Sequence, residues 1–185
     1  MTDLSSSIGS GGLERLTVLQ GEAHASGDAR LEMSTVLGSC VATCLFDPVS
    51  RIGGMNHFLL AEPPSGRSRE NFDEHYGLFL MELLINKMLS LGAVKSRIKA
   101  RLYGGANLNP GMSPIGTANA AFARKFLQNE GIPVAFEDLE GRAARRIHFM
   151  PASGMVRCRT APIESAPTDK PLVRPKSACG DVELF

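Results

Sequence analysis

Residues 36–58 read VLGSCVATCLFDPVSRIGGMNHF, and the fold turns on how they are read. The first half, CVATCLFDP, alternates poorly between apolar and polar positions, yet its side chains suit a strand. Asp47-Pro48 closes that strand with turn chemistry. The second half continues as RIGGMNHFLLAEP and reads as the hairpin partner, with Gly53-Gly54 permitting a bulge or a close backbone approach. Such a hairpin brings Cys40, at the mouth of the first strand, near His57, seventeen residues further on.

Outward from this hairpin the pattern alternates between strands and helices. LTVLQGEA (16–23) reads as one short strand, and GDARLEMSTVLGSC turns and returns as another. From about Asp73 to Leu91 the period becomes helical, with Leu78, Leu83, Ile85, Met88, Leu89 and Leu91 on a wide apolar face. Asn71 or Asp73 is placed to cap its start and Gly92 to end it. RIKARLYGG puts Ile98, Ala100 and Leu102 on one side of a strand, and the loop GGANLNPGMSPIG follows. Thr117 can cap a second helix that buries Phe122, Phe126 and Leu127 and stops before Gly131. IPVAFEDL, RRIHFMP and MVRCRT read as three strands, the last two joined by PASG. There is no internal repeat. Strands, two good helices and mostly local hairpins predict an α+β layered domain with mixed sheets. It spans 13–161, between a flexible Ser/Gly-rich segment (1–12) and a Pro-rich extended tail (162–185).

The chain of 185 residues has room for one domain, and 43% hydrophobic content supports a packed core. Twenty basic against 19 acidic side chains leave a formal charge of +1, with no basic stripe for nucleic acid or anionic lipid. Glu82 and Lys87 interrupt the most apolar stretch, LFLMELLINKMLSLGA, which excludes it as a membrane span. The first residues carry neither a basic nor an apolar leader region, so a cytoplasmic protein with reduced cysteines is expected.

The chemistry centres on Cys40. A cysteine acts as a nucleophile in its thiolate form, which needs a proton acceptor or a cationic neighbour at neutral pH. A histidine within hydrogen-bond reach can take that proton and later deliver it to a leaving group. Gly38 and Ser39 favour a sharp turn whose amides can face a developing oxyanion. Ser34 and Thr35 lie upstream and can fix the imidazole or touch the substrate. On spacing alone a buried structural thiol is the simpler account of Cys40.

STVLGSCVATCLFDPVSRIGGMNHFLL closely resembles the signature of the CheD family, the chemoreceptor glutamine deamidases of bacterial chemotaxis. The likeness continues in order through RLYGGAN, IGTANAAFARKFLQNEGIPVAFEDLEGRAARRIHFMPASGMV and GDVELF, most of the chain. The resemblance implies Cys40 as nucleophile and His57 as general base and acid. A third position, a hydroxyl six residues before the nucleophile, falls on Ser34, with Thr35 beside it. It also implies a layered α/β sandwich related to bacterial toxin deamidase domains, and protein-glutamine glutaminase activity through a thioester. Receptor methyl-ester hydrolysis is implied as well. No cofactor or metal is called for. The implied partners are methyl-accepting chemotaxis receptors and a CheC-type phosphatase, without nucleic acid or membrane insertion. The alternative is a non-catalytic adaptor that binds the same partners.

Other motifs are weaker. Cys44, on the same strand face as Cys40, can be drawn with His57 and Cys158 as a zinc site, but the Cys-x-x-x-Cys spacing is loose and core packing explains Cys44 better. Gly104-Gly105-Ala106-Asn107 suits either a substrate-side backbone surface or a plain turn. Arg142, Arg145 and Arg146 can meet acidic receptor helices or form a solvated face. His24, His75 and His148 have no evident partner, and His148 is expected to face solvent or a neighbouring strand. GDVELF reads as a docking element in preference to an unused end.

Overall fold

The structure is a computed structural model that describes residues 12–60, 73–108 and 114–162. The segment before Gly12, Asn71, the tail after Pro162, Cys179 and GDVELF lie outside the described residues.

Among the described residues, nine strands and two α-helices form three layers. A four-stranded sheet contains β1 (Glu14–Thr17), β3 (Leu31–Leu37), β8 (Ala144–Met150) and β9 (Met155–Ala161), in the order β1-β3-β8-β9. A five-stranded sheet contains β2 (Ala23–Ser26), β4 (Val41–Asp47), β5 (Ile52–Phe58), β6 (Lys99–Gly104) and β7 (Val134–Leu139), in the order β2-β5-β4-β6-β7. Helices α1 (Asp73–Ser90) and α2 (Ile115–Asn129) cover one face of the larger sheet. Its other face packs on the smaller sheet. This is the layered α+β architecture expected.

The middle position of the larger sheet explains the poor alternation of CVATCLF. Val41 and Leu45 join the core beneath the helices, whereas Cys40, Ala42 and Cys44 join the core between the sheets. A strand buried on both faces loses the polar half of its alternation. Gly53 and Gly54 provide close approach: a Cβ on Gly54 would lie 2.6 Å from Leu84 Cδ1 and 2.7 Å from the His24 carbonyl oxygen.

Both helices end where expected, with Gly92 at φ +106° and Gly131 at φ +68°. Ala93 N–H bonds the Met88 carbonyl and Ile132 N–H the Leu127 carbonyl, so each stop satisfies a terminal carbonyl. Several details differ from expectation. The buried stripe of α1 is Leu80, Met81, Leu84, Ile85 and Met88, while Leu89 and Leu91 are exposed. Asp73 is the first helical residue of α1. Pro114, not Thr117, precedes α2, and the Thr117 hydroxyl accepts a hydrogen bond from Asn107 Nδ2. Pairing is less local than expected: β1 lies parallel to β3, and β6 lies parallel to β7 with α2 as the crossover.

The predicted strand over 16–23 is two strands in different sheets. Gly21, at φ +89°, turns the chain, so that β1 pairs with β3 and β2 with β5. The chain passes from the smaller sheet to the larger a second time at Gly38-Ser39-Cys40, from β3 into β4. Because β1 and β3 run parallel, both crossings occur at the same end of the stack.

Candidate functional site

The β4–β5 ladder makes Cys40 and His57 neighbours. His57 lies opposite Ala42 in the β4–β5 ladder, so Cys40, two residues before Ala42, is its diagonal neighbour on the same face. Diagonal pairs in an antiparallel sheet have Cα atoms ~7–8 Å apart, within reach of their side chains. Both residues are only 1% exposed, in the seam between the sheets.

The imidazole is held from one side. Thr35 Oγ1 lies 2.9 Å from His57 Nδ1 and the Val18 carbonyl oxygen lies 3.3 Å from the same nitrogen. A carbonyl can only accept, so Nδ1 carries the hydrogen, and Nε2 presents a lone pair. His57 Nε2 is buried with no hydrogen-bond partner among the described residues. Burial drives the imidazole pKa down to about 4, against the smaller opposing effects of the Val18 carbonyl and Glu22, so the ring is neutral at physiological pH.

Strand alternation settles which hydroxyl faces His57. Thr35 points into the seam, and Ser34, paired with His148 of β8, points to the outer face. Of the two hydroxyls expected here, Ser34 and Thr35, it is Thr35 that lies at hydrogen-bond distance from the imidazole. Ser34 contributes its carbonyl, which accepts from Val18 N–H at 2.9 Å and so steadies the segment that holds Nδ1.

The Cys40 turn is fixed through its carbonyls. The Cys40 carbonyl accepts from Gly105 N–H (2.7 Å), that of Gly38 from Ala106 N–H (2.9 Å), and that of Ser39 from Asn119 Nδ2 (2.8 Å). Gly104 has φ +104°, and any Cβ there would collide with the Cys40 carbonyl. Gly104 and Gly105 therefore back the turn from behind, and the Gly105 amide is already engaged. Ser39 is buried, with its Oγ unpartnered among the described residues.

The other cysteines sit in different surroundings. Burial pushes the Cys44 thiol far up, and Cys158, 3.5 Å from Asp138 Oδ2, is raised to about 11 by burial and then by that carboxylate. Of the arginine cluster, Arg145 pairs with Asp138 at 2.8 Å while Arg142 and Arg146 are exposed. His148 Nδ1 meets Glu32 Oε1 of the neighbouring strand at 3.1 Å, and His24 meets Glu22.

The chain is similar to known proteins along almost its whole length. The chain is 48% identical over 181 residues to the probable chemoreceptor glutamine deamidase CheD of Caulobacter sp. (strain K31), covering 95% of each chain. It is 46% identical over 185 residues to the protein of the same name from Zymomonas mobilis, covering 100% of each. The chain belongs to the CheD family. The CheD family model, described as CheD chemotactic sensory transduction, matches residues 59–160. Among solved structures, the Bacillus licheniformis hypothetical protein YfiH is similar at 13% identity and TM-score 0.43, over 69% of this chain and 60% of that one.

Two residues that hold this site escaped the sequence reading: Val18 and Asn119. Asn119 carried a signal, because it is a polar residue on the buried stripe of α2 with Ala120 and Ala123. It is completely buried and bridges Ser39 to Leu60, whose N–H it accepts at 2.9 Å. Val18 had none, since its placement depends on the crossing between sheets.

Proposed function

We propose that this CheD-family chain deamidates glutamine side chains on methyl-accepting chemotaxis receptors, with Cys40 as nucleophile and His57 as base and acid. The observation that carries the reading is His57 itself: Nδ1 is tied to Thr35 and Val18, and Nε2, on the face shared with Cys40, has no hydrogen-bond partner among the described residues. The names of the relatives supply the substrate class.

Nε2 takes the Cys40 proton as sulfur bonds to the carboxamide carbon. Oxygen gains the negative charge, beside the amides of the Ser39-Cys40 turn. The C–N bond breaks, and the imidazolium protonates nitrogen, which leaves as ammonia. A γ-glutamyl thioester remains on Cys40. Water, deprotonated by Nε2, then attacks the thioester, and the thiol is restored as glutamate departs. A γ-methyl ester fits the same sequence with methanol as leaving group. Neither step calls for a metal. On this reading the protein works in the cytoplasm, on the receptor segments exposed there. Among the described residues no helix is long and apolar enough to cross a membrane.

The test is peptide mass spectrometry of a purified receptor cytoplasmic fragment after incubation with the protein or with Cys40→Ala. Glutamine-to-glutamate conversion with the first and none with the second is expected. Conversion by both removes Cys40 from the mechanism, and binding without conversion by either makes the chain an adaptor.

A further inference from the structure

The Cys40 thiol already faces a glutamine of its own chain. Cys40 Sγ lies 3.7 Å from Gln20 Oε1, at hydrogen-bond distance for sulfur, with the thiol as donor. Gln20 is half-buried at the tip of the turn between β1 and β2. That turn is tightly built. Gly21 N–H bonds the His57 carbonyl (2.7 Å), His57 N–H bonds the Glu22 carbonyl (3.1 Å), and Glu22 Oε2 accepts from Leu19 N–H (2.9 Å). The backbone that carries Gln20 is thus locked to the backbone that carries the base. The side chain is directed to the sulfur, and Cys40 is left 1% exposed.

Resting on the reading of Cys40 as nucleophile, we propose that Gln20 is a resident mimic of the substrate carboxamide, occupying the thiol until a receptor glutamine displaces it. Its carbonyl oxygen is bound to the thiol hydrogen, a resting pose in which the thiol proton is directed to Gln20 and not to Nε2. A substrate that binds only while Gln20 is turned away has its apparent affinity lowered by the vacant fraction. The mimic therefore sets a threshold: a receptor glutamine must arrive with enough flanking contact to outcompete a carboxamide held in place by the fold.

The experiment compares the full-length protein with Gln20→Ala, and with Gln20→Ser as a second variant. The rate of Cys40 alkylation by iodoacetamide is read by peptide mass spectrometry, beside KM and kcat on the receptor fragment. Removing one hydrogen-bonded occupant is expected to speed Cys40 alkylation and lower KM by roughly three- to tenfold, with kcat within about twofold. An unchanged alkylation rate overturns the proposal. So does a fall in kcat without a gain in alkylation, which would make Gln20 part of the catalytic machinery. Conversion of Gln20 to glutamate in the resting protein overturns it too, because the residue would then be a substrate. Failure of the deamidase reading is distinguishable: conversion would persist in Cys40→Ala while the alkylation difference stood.

Discussion

Thr35 and Ser34 are adjacent hydroxyl residues with opposite orientations, and they separate positioning from mere proximity. Thr35→Val leaves the shape of the seam but removes the oxygen 2.9 Å from Nδ1. Misplacing a catalytic group in this way costs about 10- to 100-fold, so kcat should fall by that much. Thr35→Ser should retain most activity, and Ser34→Ala should behave as wild type in the same initial-rate assay. A loss with Ser34→Ala equal to that with Thr35→Val would refute the assignment. His57 also dictates a pH signature. Protonated imidazole cannot accept the thiol proton, and burial delays protonation to about 4, so the acid limb of kcat/KM should fall near that value and not near 6.5. Between those two values the unfolded chain binds a proton that the folded chain refuses. Stability should therefore decline as pH falls through that window.

The β4–β5 hairpin depends on Asp47 at its turn. The buried carboxylate accepts from Val49 N–H (3.0 Å), from Val94 N–H (2.9 Å) and from Arg97 Nη2 (2.8 Å), joining the hairpin to the connection after α1. Arg97, followed by desolvation that opposes it and by the backbone donors, holds the carboxyl well below the usual carboxylate range. Asp47→Ala strands those donors and should destabilise the fold by about 2–4 kcal/mol in urea denaturation. Because the folded pKa is depressed, the contribution of Asp47 is complete above about pH 4 and is lost as pH falls toward the folded value. In Asp47→Ala the acid limb of stability should flatten, and an unaltered limb would count against this role. At this scale the sequence was informative. The hairpin, both glycine helix stops and seven of the nine strands follow from turn chemistry and periodicity. The split at Gln20-Gly21 did not, because a turn inside an apolar run is visible only once its two halves have separate partners. Likewise the buried stripe of α1 could not be told from Leu89 and Leu91 by composition, since the helix is apolar over more than one face.

Across the whole molecule, the three layers leave the thiols at different depths. Cys44 lies in the middle of the stack between the sheets, and Cys40 lies at the end of the same strand, where the chain crosses. Because His57 can take its proton, Cys40 should be alkylated first, whenever the Gln20 side chain rotates away. Cys44 should react only through global opening, at a rate that rises with urea in step with the unfolding equilibrium. Cys158 falls between, half-buried and held as a thiol beside Asp138. Equal labelling of all three in the native protein would mean that the layers open far more readily than their packing implies. Sequence alone brought Cys40 and His57 together through one hairpin. It could not supply Val18 or Asn119, which arrive from a separate sheet crossing and from a helix eighty residues away from the turn it holds.

The paired backbone of Gly21, Glu22 and His57 has a bearing on tempo. A loop that swung aside to admit substrate would carry the imidazole with it, so entry has to be achieved by side-chain rotation alone. Rotamer hops take picoseconds to nanoseconds, whereas loop and lid motions run to microseconds and beyond. The gate of this site is therefore a matter of occupancy and not of waiting. Turnover should begin without a lag, and the amide hydrogens of Gly21 and His57 should exchange as slowly as those of the core strands while the enzyme works.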